Sequence, residues 1–220
     1  MAAPKITLYF DIVSPFGYIA FHVLRNSAAF SLCNINYVPI FLGGLMKACD
    51  NTPPISIKNK AQWINRERRR WAHYFSVPIV ERTPEGFPPL TLTVQRALCA
   101  VSQQTPNKLI PTIEALYHSF WVNGNAKIGQ PEGFGPVLEK VLGREGAEEV
   151  LQAVNDQKVK ALLTANTEQA FEGGAFGLPW FECTNGKGET ESFFGVDHIG
   201  QVVDFLGLNR RLEKGPRAQL

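Results

Sequence analysis

The sequence predicts an α/β protein in which a large, all-helical segment interrupts one four-stranded mixed sheet. Three observations carry this prediction. A strand–helix–strand pattern opens the chain, strand patterns then stop after Phe41, and two further strand patterns followed by a helix close the chain from Leu178 onward. The sheet is therefore expected to draw its strands from both ends of the chain.

The opening residues predict a βαβ unit. Lys5–Phe10 and Asn34–Phe41 are rich in β-branched and aromatic side chains, as strands are. Between them, Ser14 and Pro15 suit the N-cap and the first position of a helix that runs to about Phe30. A right-handed crossover of this kind makes the two strands parallel neighbours.

The middle of the chain carries a helical pattern of apolar residues. Gly43-Gly44 and Pro53-Pro54 indicate a loop before it. Beyond that loop, helices are predicted over residues 59–75, 93–104, 111–122, 131–142, 147–154 and 156–171.

The end of the chain predicts a hairpin and a helix. Leu178–Cys183 and Thr190–Phe194 flank an Asn185-Gly186 turn, and Asp197 is expected to cap a last amphipathic helix that ends at Gly207. The predicted division is a discontinuous sheet domain of residues 1–45 plus 169–208, a helical insertion of residues 46–168, and a flexible charged tail of residues 209–220.

Composition excludes several classes of function. With 45% apolar residues the chain can bury a core, and its net charge of +2 disfavours a dedicated nucleic-acid binder. No window reaches the ~18 apolar residues of a membrane span, and no secretory signal opens the chain, which favours an intracellular protein. The four cysteines lack CxxC spacing, so neither a metal site nor dithiol chemistry is predicted.

Two local features admit both a structural and a functional interpretation. Ser14 suits an ordinary N-cap, but a hydroxyl at a helix N-terminus could also donate to a bound thiolate. The Leu178–Pro179 bond could be trans, in a simple loop, or cis, turning the Leu178 backbone outward.

The run Arg66–Arg70 predicts a solvated or dimer-facing helix surface rather than a nucleic-acid patch.

Several motifs, taken in order, resemble one known group of enzymes. They are YFDIVSPF at residues 9–16, NTPP at 51–54 followed by Lys60, GAFGLP at 174–179, and FFGVD at 193–197. From about Ile6 to Leu208 the chain resembles the kappa-class glutathione transferases and the related 2-hydroxychromene-2-carboxylate isomerases. That resemblance implies the DsbA-like thioredoxin fold with a helical insertion.

The resemblance also implies roles for individual residues. Ser14 would hydrogen-bond the sulfur of glutathione, and Ser14-Pro-Phe-Gly17 stands where redox relatives carry Cys-x-x-Cys, so the ligand itself must bring the thiol. Pro179 matches a cis-proline, with the Leu178 backbone pairing to glutathione like an added strand.

The remaining implied contacts hold the two ends of glutathione. Asn51 and Lys60 match residues at its glycyl end, and Asp197 matches one that binds the γ-glutamyl ammonium group. Val196 and His198 depart from the Ser or Gln and the Arg common at these positions. Because histidine titrates near pH 6.5, binding of the γ-glutamyl carboxylate could depend on pH.

The expected activity is glutathione transfer to a small electrophilic or aromatic substrate, with glutathione as co-substrate and a homodimer as the assembly. Two alternatives stay open: a glutathione-dependent cis–trans isomerase, and a non-catalytic glutathione-binding module. The expected location is cytoplasmic. A peroxisomal or mitochondrial location stays open, and for the first of these Ala218-Gln-Leu220 partly resembles a peroxisomal signal.

Overall fold

A computed structural model describes residues 2–209 and contains one four-stranded sheet. The strands are β1 (Lys5–Phe10), β2 (Asn34–Pro39), β3 (Trp180–Thr184) and β4 (Thr190–Phe194), in the order β2-β1-β3-β4. β1 runs parallel to β2 and antiparallel to β3, and β3 pairs antiparallel with β4. The predicted mixed sheet, built from both ends of the chain, is confirmed.

Eight α-helices lie in the described part of the chain. They are α1 (Pro15–Asn26), α2 (Leu42–Ala48), α3 (Lys60–Tyr74), α4 (Leu92–Gln104), α5 (Leu109–Trp121), α6 (Pro131–Ala153), α7 (Gln157–Glu172) and α8 (Ile199–Phe205). None of the helices within residues 2–209 is long and apolar enough to cross a membrane.

The structure corrects two details of the predicted elements and confirms a third. Gly43 and Gly44 lie inside α2 rather than in a loop, because tertiary contacts outweigh the low helix propensity of glycine. The predicted break between the helices of residues 131–142 and 147–154 is confirmed, because Gly143 (φ 79°, ψ 168°) interrupts α6 with a kink. Asp197 does not cap α8, since it lies within a 3-10 turn, Val196–His198, that precedes the helix.

The two faces of the sheet carry different apolar clusters. The larger cluster joins Ile6, Leu8 and Phe10 to buried side chains of α1, α4, α5, α6 and α8. On the other face, Tyr9 and Trp180 pack with residues of α2 and of the segment around Ala175. This alternation follows from the period of two in a strand, and it buries β1 on both faces.

Two sequence predictions are not tested by the described structure. The division into a discontinuous sheet domain and an insertion, and the homodimer, stay predictions. The predicted tail begins at Asn209, and the rest of it, with the Ala218–Leu220 signal, lies outside the described residues.

Candidate functional site

Three segments that carry predicted site residues meet at one end of the sheet. Tyr9 pairs with Trp180, which in turn pairs with Phe194, so these residues form a row across three strands. Just beyond this row lie the loop to Ser14, the dipeptide Leu178-Pro179, and the turn that contains Asp197. We refer to residues 11–14, 178–179 and 195–198 together as the sheet-end site.

Ser14 opens α1 and is almost fully buried, with 5% of its surface exposed. Its Oγ accepts a hydrogen bond from the Gly17 N–H at 3.0 Å, which is an N-cap contact. Among residues 2–209, no acceptor receives the hydrogen of the Ser14 hydroxyl. The side chain therefore caps the helix and keeps its own hydrogen available to donate.

The loop before Ser14 is fixed by side chains from the helices between β2 and β3. The Tyr117 hydroxyl donates to the Asp11 carbonyl at 3.3 Å, and Trp121 Nε1 donates to the Ile12 carbonyl at 3.0 Å. Gln95 accepts from the Ile12 N–H through its Oε1 at 3.4 Å. Burial raises the pKa of Tyr117, so this hydroxyl stays a donor at neutral pH.

Asp11 is a buried carboxylate within this loop, and the sequence reasoning gave it no role. It accepts hydrogen bonds from the N–H groups of Val13 (3.1 Å) and Leu42 (2.9 Å) and from the Thr91 hydroxyl (3.0 Å). Burial raises its pKa to about 6, although these three hydrogen bonds favour the charged form. The feature of the sequence that could have indicated a role for Asp11 is its position as an acidic residue directly after the buried strand β1.

Leu178 offers an unpaired backbone beside this loop. The Leu178–Pro179 peptide bond is cis, and Gly195 donates its N–H to the Pro179 carbonyl at 3.0 Å. Within the described chain, neither the N–H nor the carbonyl of Leu178 has a hydrogen-bond partner. These groups can receive an extended peptide as β-sheet edges do.

The turn after β4 brings three predicted residues to the same end of the sheet. Val196 is buried, whereas Asp197 and His198 are partly exposed. His198 Nδ1 lies 3.5 Å from Asp197 Oδ1 and makes no hydrogen bond. The Asp197 carboxylate is more than half exposed, so a cation from outside the chain can reach it.

Asn51 lies on the segment between α2 and α3, and Lys60 is the first residue of α3. Asn51 Nδ2 donates to the Phe176 carbonyl at 2.8 Å, which joins it to the chain two residues before Leu178. Lys60 begins α3 with an exposed side chain, and no hydrogen bond or ion pair joins it to the sheet-end site in the described structure. The structure thus brings Asn51 to the site but does not tie Lys60 to it.

No cysteine occupies the start of α1, where Ser14 lies. All four cysteines are free thiols, at positions 33, 49, 99 and 183. Burial raises the pKa of Cys99 and of Cys183 to about 12, so both stay protonated. None of the residues that define the sheet-end site is a cysteine, so the site has a hydroxyl but no thiol of its own.

The model of the DsbA-like thioredoxin domain matches residues 5–207. The chain belongs to this DsbA-like family. A solved 2-hydroxychromene-2-carboxylate isomerase has the same fold, with a TM-score of 0.76 at 21% identity over 92% of this chain and 94% of that one. The predicted thioredoxin-like fold is thus confirmed for this DsbA-like chain.

Two named relatives are similar to this chain in sequence over most of its length. Glutathione S-transferase kappa 1 of Caenorhabditis elegans is 28% identical over 92% of this chain and 91% of its own length. The 2-hydroxychromene-2-carboxylate isomerase of Sphingobium xenophagum is 26% identical over 91% of this chain and 97% of its own. The predicted resemblance of the DsbA-like chain to both groups is confirmed.

Proposed function

We propose that this protein is a glutathione transferase of the kappa type, in which Ser14 stabilises the glutathione thiolate. The observation that carries the proposal is the Ser14 hydroxyl. It is buried, it lies at the first turn of a 12-residue helix, and it has a hydrogen that no described acceptor receives. The relative named glutathione S-transferase kappa 1 supports the same ligand and the same reaction.

The energetics of such a contact are sufficient for neutral pH. A free thiol has a pKa of about 8.5 and is mostly protonated at pH 7. A hydrogen bond to a charged group contributes about 1.5–3 kcal/mol, and a helix N-terminus about 0.3–1 kcal/mol. Together these would lower the thiol pKa by roughly 1.3 to 3, at ~1.36 kcal/mol per pKa unit.

The remaining predicted residues would position the tripeptide. The backbone of Leu178, beside Pro179, would pair with the cysteinyl residue as an added strand. Asp197 would bind the γ-glutamyl ammonium group, next to Val196 and His198. At the other end, Asn51 and Lys60 would hold the glycyl carboxylate.

The reaction needs no nucleophile from the protein. The glutathione thiol loses its proton to water, and the thiolate sulfur forms a bond to the electrophilic carbon of the second substrate. The bond from that carbon to its leaving group breaks, and the leaving group departs with the electron pair. Ser14 acts by stabilising the charge on sulfur before the attack.

Ser14→Ala tests the proposal. Wild type should bind glutathione and form conjugates with 1-chloro-2,4-dinitrobenzene. The variant should lose at least tenfold in kcat/KM, with the bound thiol pKa moving back toward about 8.5. Ser27→Ala is the matched control, because Ser27 also caps a helical turn but lies after α1, away from the sheet-end site. Undetectable glutathione binding by wild type would refute the proposal.

A second candidate is a glutathione-dependent cis–trans isomerase, which the relative of that name from Sphingobium xenophagum favours. The same thiolate would add to a conjugated double bond and leave again after rotation, so glutathione is regenerated. Product analysis separates the two activities, because transfer consumes glutathione and isomerisation does not. Tight glutathione binding without turnover of either substrate class would indicate a binding module instead.

A further inference from the structure

A cleft lies between α2, α4 and α7, and none of the residues predicted to hold glutathione lines it. Its volume is about 280 Å³, just below the ~300–1,000 Å³ that ligand pockets usually enclose. A space of this size admits a ligand of one or two rings. The cleft therefore suits a small molecule.

Apolar side chains form much of the cleft. Phe41, which directly precedes α2, lines the cleft together with Leu92 of α4 and with Leu163 and Phe171 of α7. Phe171 leaves 42% of its surface exposed, although an aromatic ring gains most from being covered. These residues favour a ligand with an apolar, preferably aromatic, body.

Two cations give the cleft its polarity. Arg96 of α4 and Lys160 of α7 line it, and in the described chain neither side chain makes an ion pair or a hydrogen bond. The Nε of Arg96 is buried without a partner. Glu168 also lines the cleft, so two cations face one carboxylate, and this balance favours a ligand with a single negative charge.

We propose that this cleft binds a small organic anion, a carboxylate or sulfonate on a one- or two-ring aromatic body. Arg96 and Lys160 hold the charged group and the Thr164 hydroxyl can donate to it, while the rings of Phe41 and Phe171 cover the apolar part. Thr167 is not required, because its hydroxyl already accepts from the Phe41 N–H (3.1 Å) and donates to the Leu163 carbonyl (2.8 Å). The proposal is independent of the proposed function.

Titration of the full chain with 2-naphthoate, followed by calorimetry, tests this site. The neutral naphthalene-2-carboxamide should bind at least tenfold more weakly, because it cannot pair with Arg96 and Lys160. Arg96→Gln and Lys160→Gln should each weaken naphthoate binding at least fivefold. Lys158→Gln is the matched control on the same helix, since Lys158 is exposed and does not line the cleft. Equal binding of the acid and the amide would overturn the proposal. So would an equal loss of naphthoate affinity in Lys160→Gln and Lys158→Gln.

A steric variant locates the ligand. Thr164 is exposed at the cleft, so Thr164→Trp should fold normally and abolish naphthoate binding. Full binding by a folded Thr164→Trp protein would place the ligand elsewhere and refute the assignment. Ser14→Ala should bind naphthoate as wild type does, so a failed glutathione experiment and a failed cleft experiment are distinguishable.

Discussion

The carboxylate of Asp11 accepts the N–H of Leu42 at 2.9 Å and so joins the loop before Ser14 to the first turn of α2. The same carboxylate accepts the hydroxyl of Thr91, at the start of α4. Three separate parts of the chain thus meet at one buried charge. The position of Ser14 depends on this network as much as on its own helix.

Asp11 should give the protein a distinctive pH dependence. Its pKa is raised from 3.8 to about 6, so between these values the folded state holds a proton that the unfolded state has lost. Its contribution to stability is therefore complete below about pH 4 and is lost as pH rises through about 6. At ~1.36 kcal/mol per pKa unit, the loss is roughly 3 kcal/mol.

Asp11→Asn removes this titration. The free energy of unfolding of the variant, relative to wild type, should rise by up to roughly 3 kcal/mol between about pH 4 and pH 7, as measured by urea denaturation. Asp50→Asn, at an exposed position, should follow wild type across the range. A constant difference between Asp11→Asn and wild type would show that Asp11 does not titrate in this interval.

Gly17 should resist substitution because of Tyr117. A Cβ at Gly17 would lie 3.0 Å from the Tyr117 hydroxyl oxygen and 3.2 Å from Ser14 Cβ. Tyr117 is fully buried against Phe10, Tyr18 and Phe21 and has little room to move. Gly17→Ala should therefore lower the free energy of unfolding, measured by thermal denaturation, by about 1–3 kcal/mol, although alanine has the better helix propensity.

A double-mutant cycle identifies the cause. Tyr117→Phe removes the oxygen that the added Cβ would meet. Gly17→Ala should therefore cost about 1 kcal/mol less when it is combined with Tyr117→Phe than when it is made in wild type. Equal costs in the two backgrounds would mean that the contact with Ser14 Cβ dominates.

Gln95 should stabilise the folded chain through its hydrogen bonds beside the sheet-end site. Its Nε2 donates to the carbonyls of Phe10 (3.0 Å) and Ile40 (2.7 Å). Gln95→Leu keeps the apolar volume but leaves buried backbone groups without this partner, and should lower the free energy of unfolding by about 1–3 kcal/mol. Gln103→Leu, on the exposed face of α4, should change it by less than about 0.5 kcal/mol.

Lys60 tests the predicted contact with the glycyl carboxylate of glutathione. Because Lys60 is exposed, its ion pair should be weak, and Lys60→Gln should raise the Kd for glutathione only about two- to fivefold. The effect should shrink at high salt. Lys58→Gln is the matched control. An equal loss of glutathione affinity in Lys58→Gln would show that Lys60 acts only through the general positive charge of this segment.

The sequence alone determined the elements with strong local patterns. β1 and β4 have the predicted bounds, and Ser14 with Pro15 opens α1 as predicted, because strand alternation and helix capping act over a few residues. The motifs around Ser14, Pro179 and Asp197 also indicated the family before any fold was known.

Only the tertiary structure decided what surrounds Ser14. Asp11, Gln95 and Tyr117 are separated by up to 106 positions in the chain, and no local pattern indicates that they meet. The helix at Gly43-Gly44 likewise forms because α7 and the Asp11 carboxylate support it, against its own propensity. Long-range packing and buried hydrogen bonds, which sequence periodicity does not record, set the position of the candidate site.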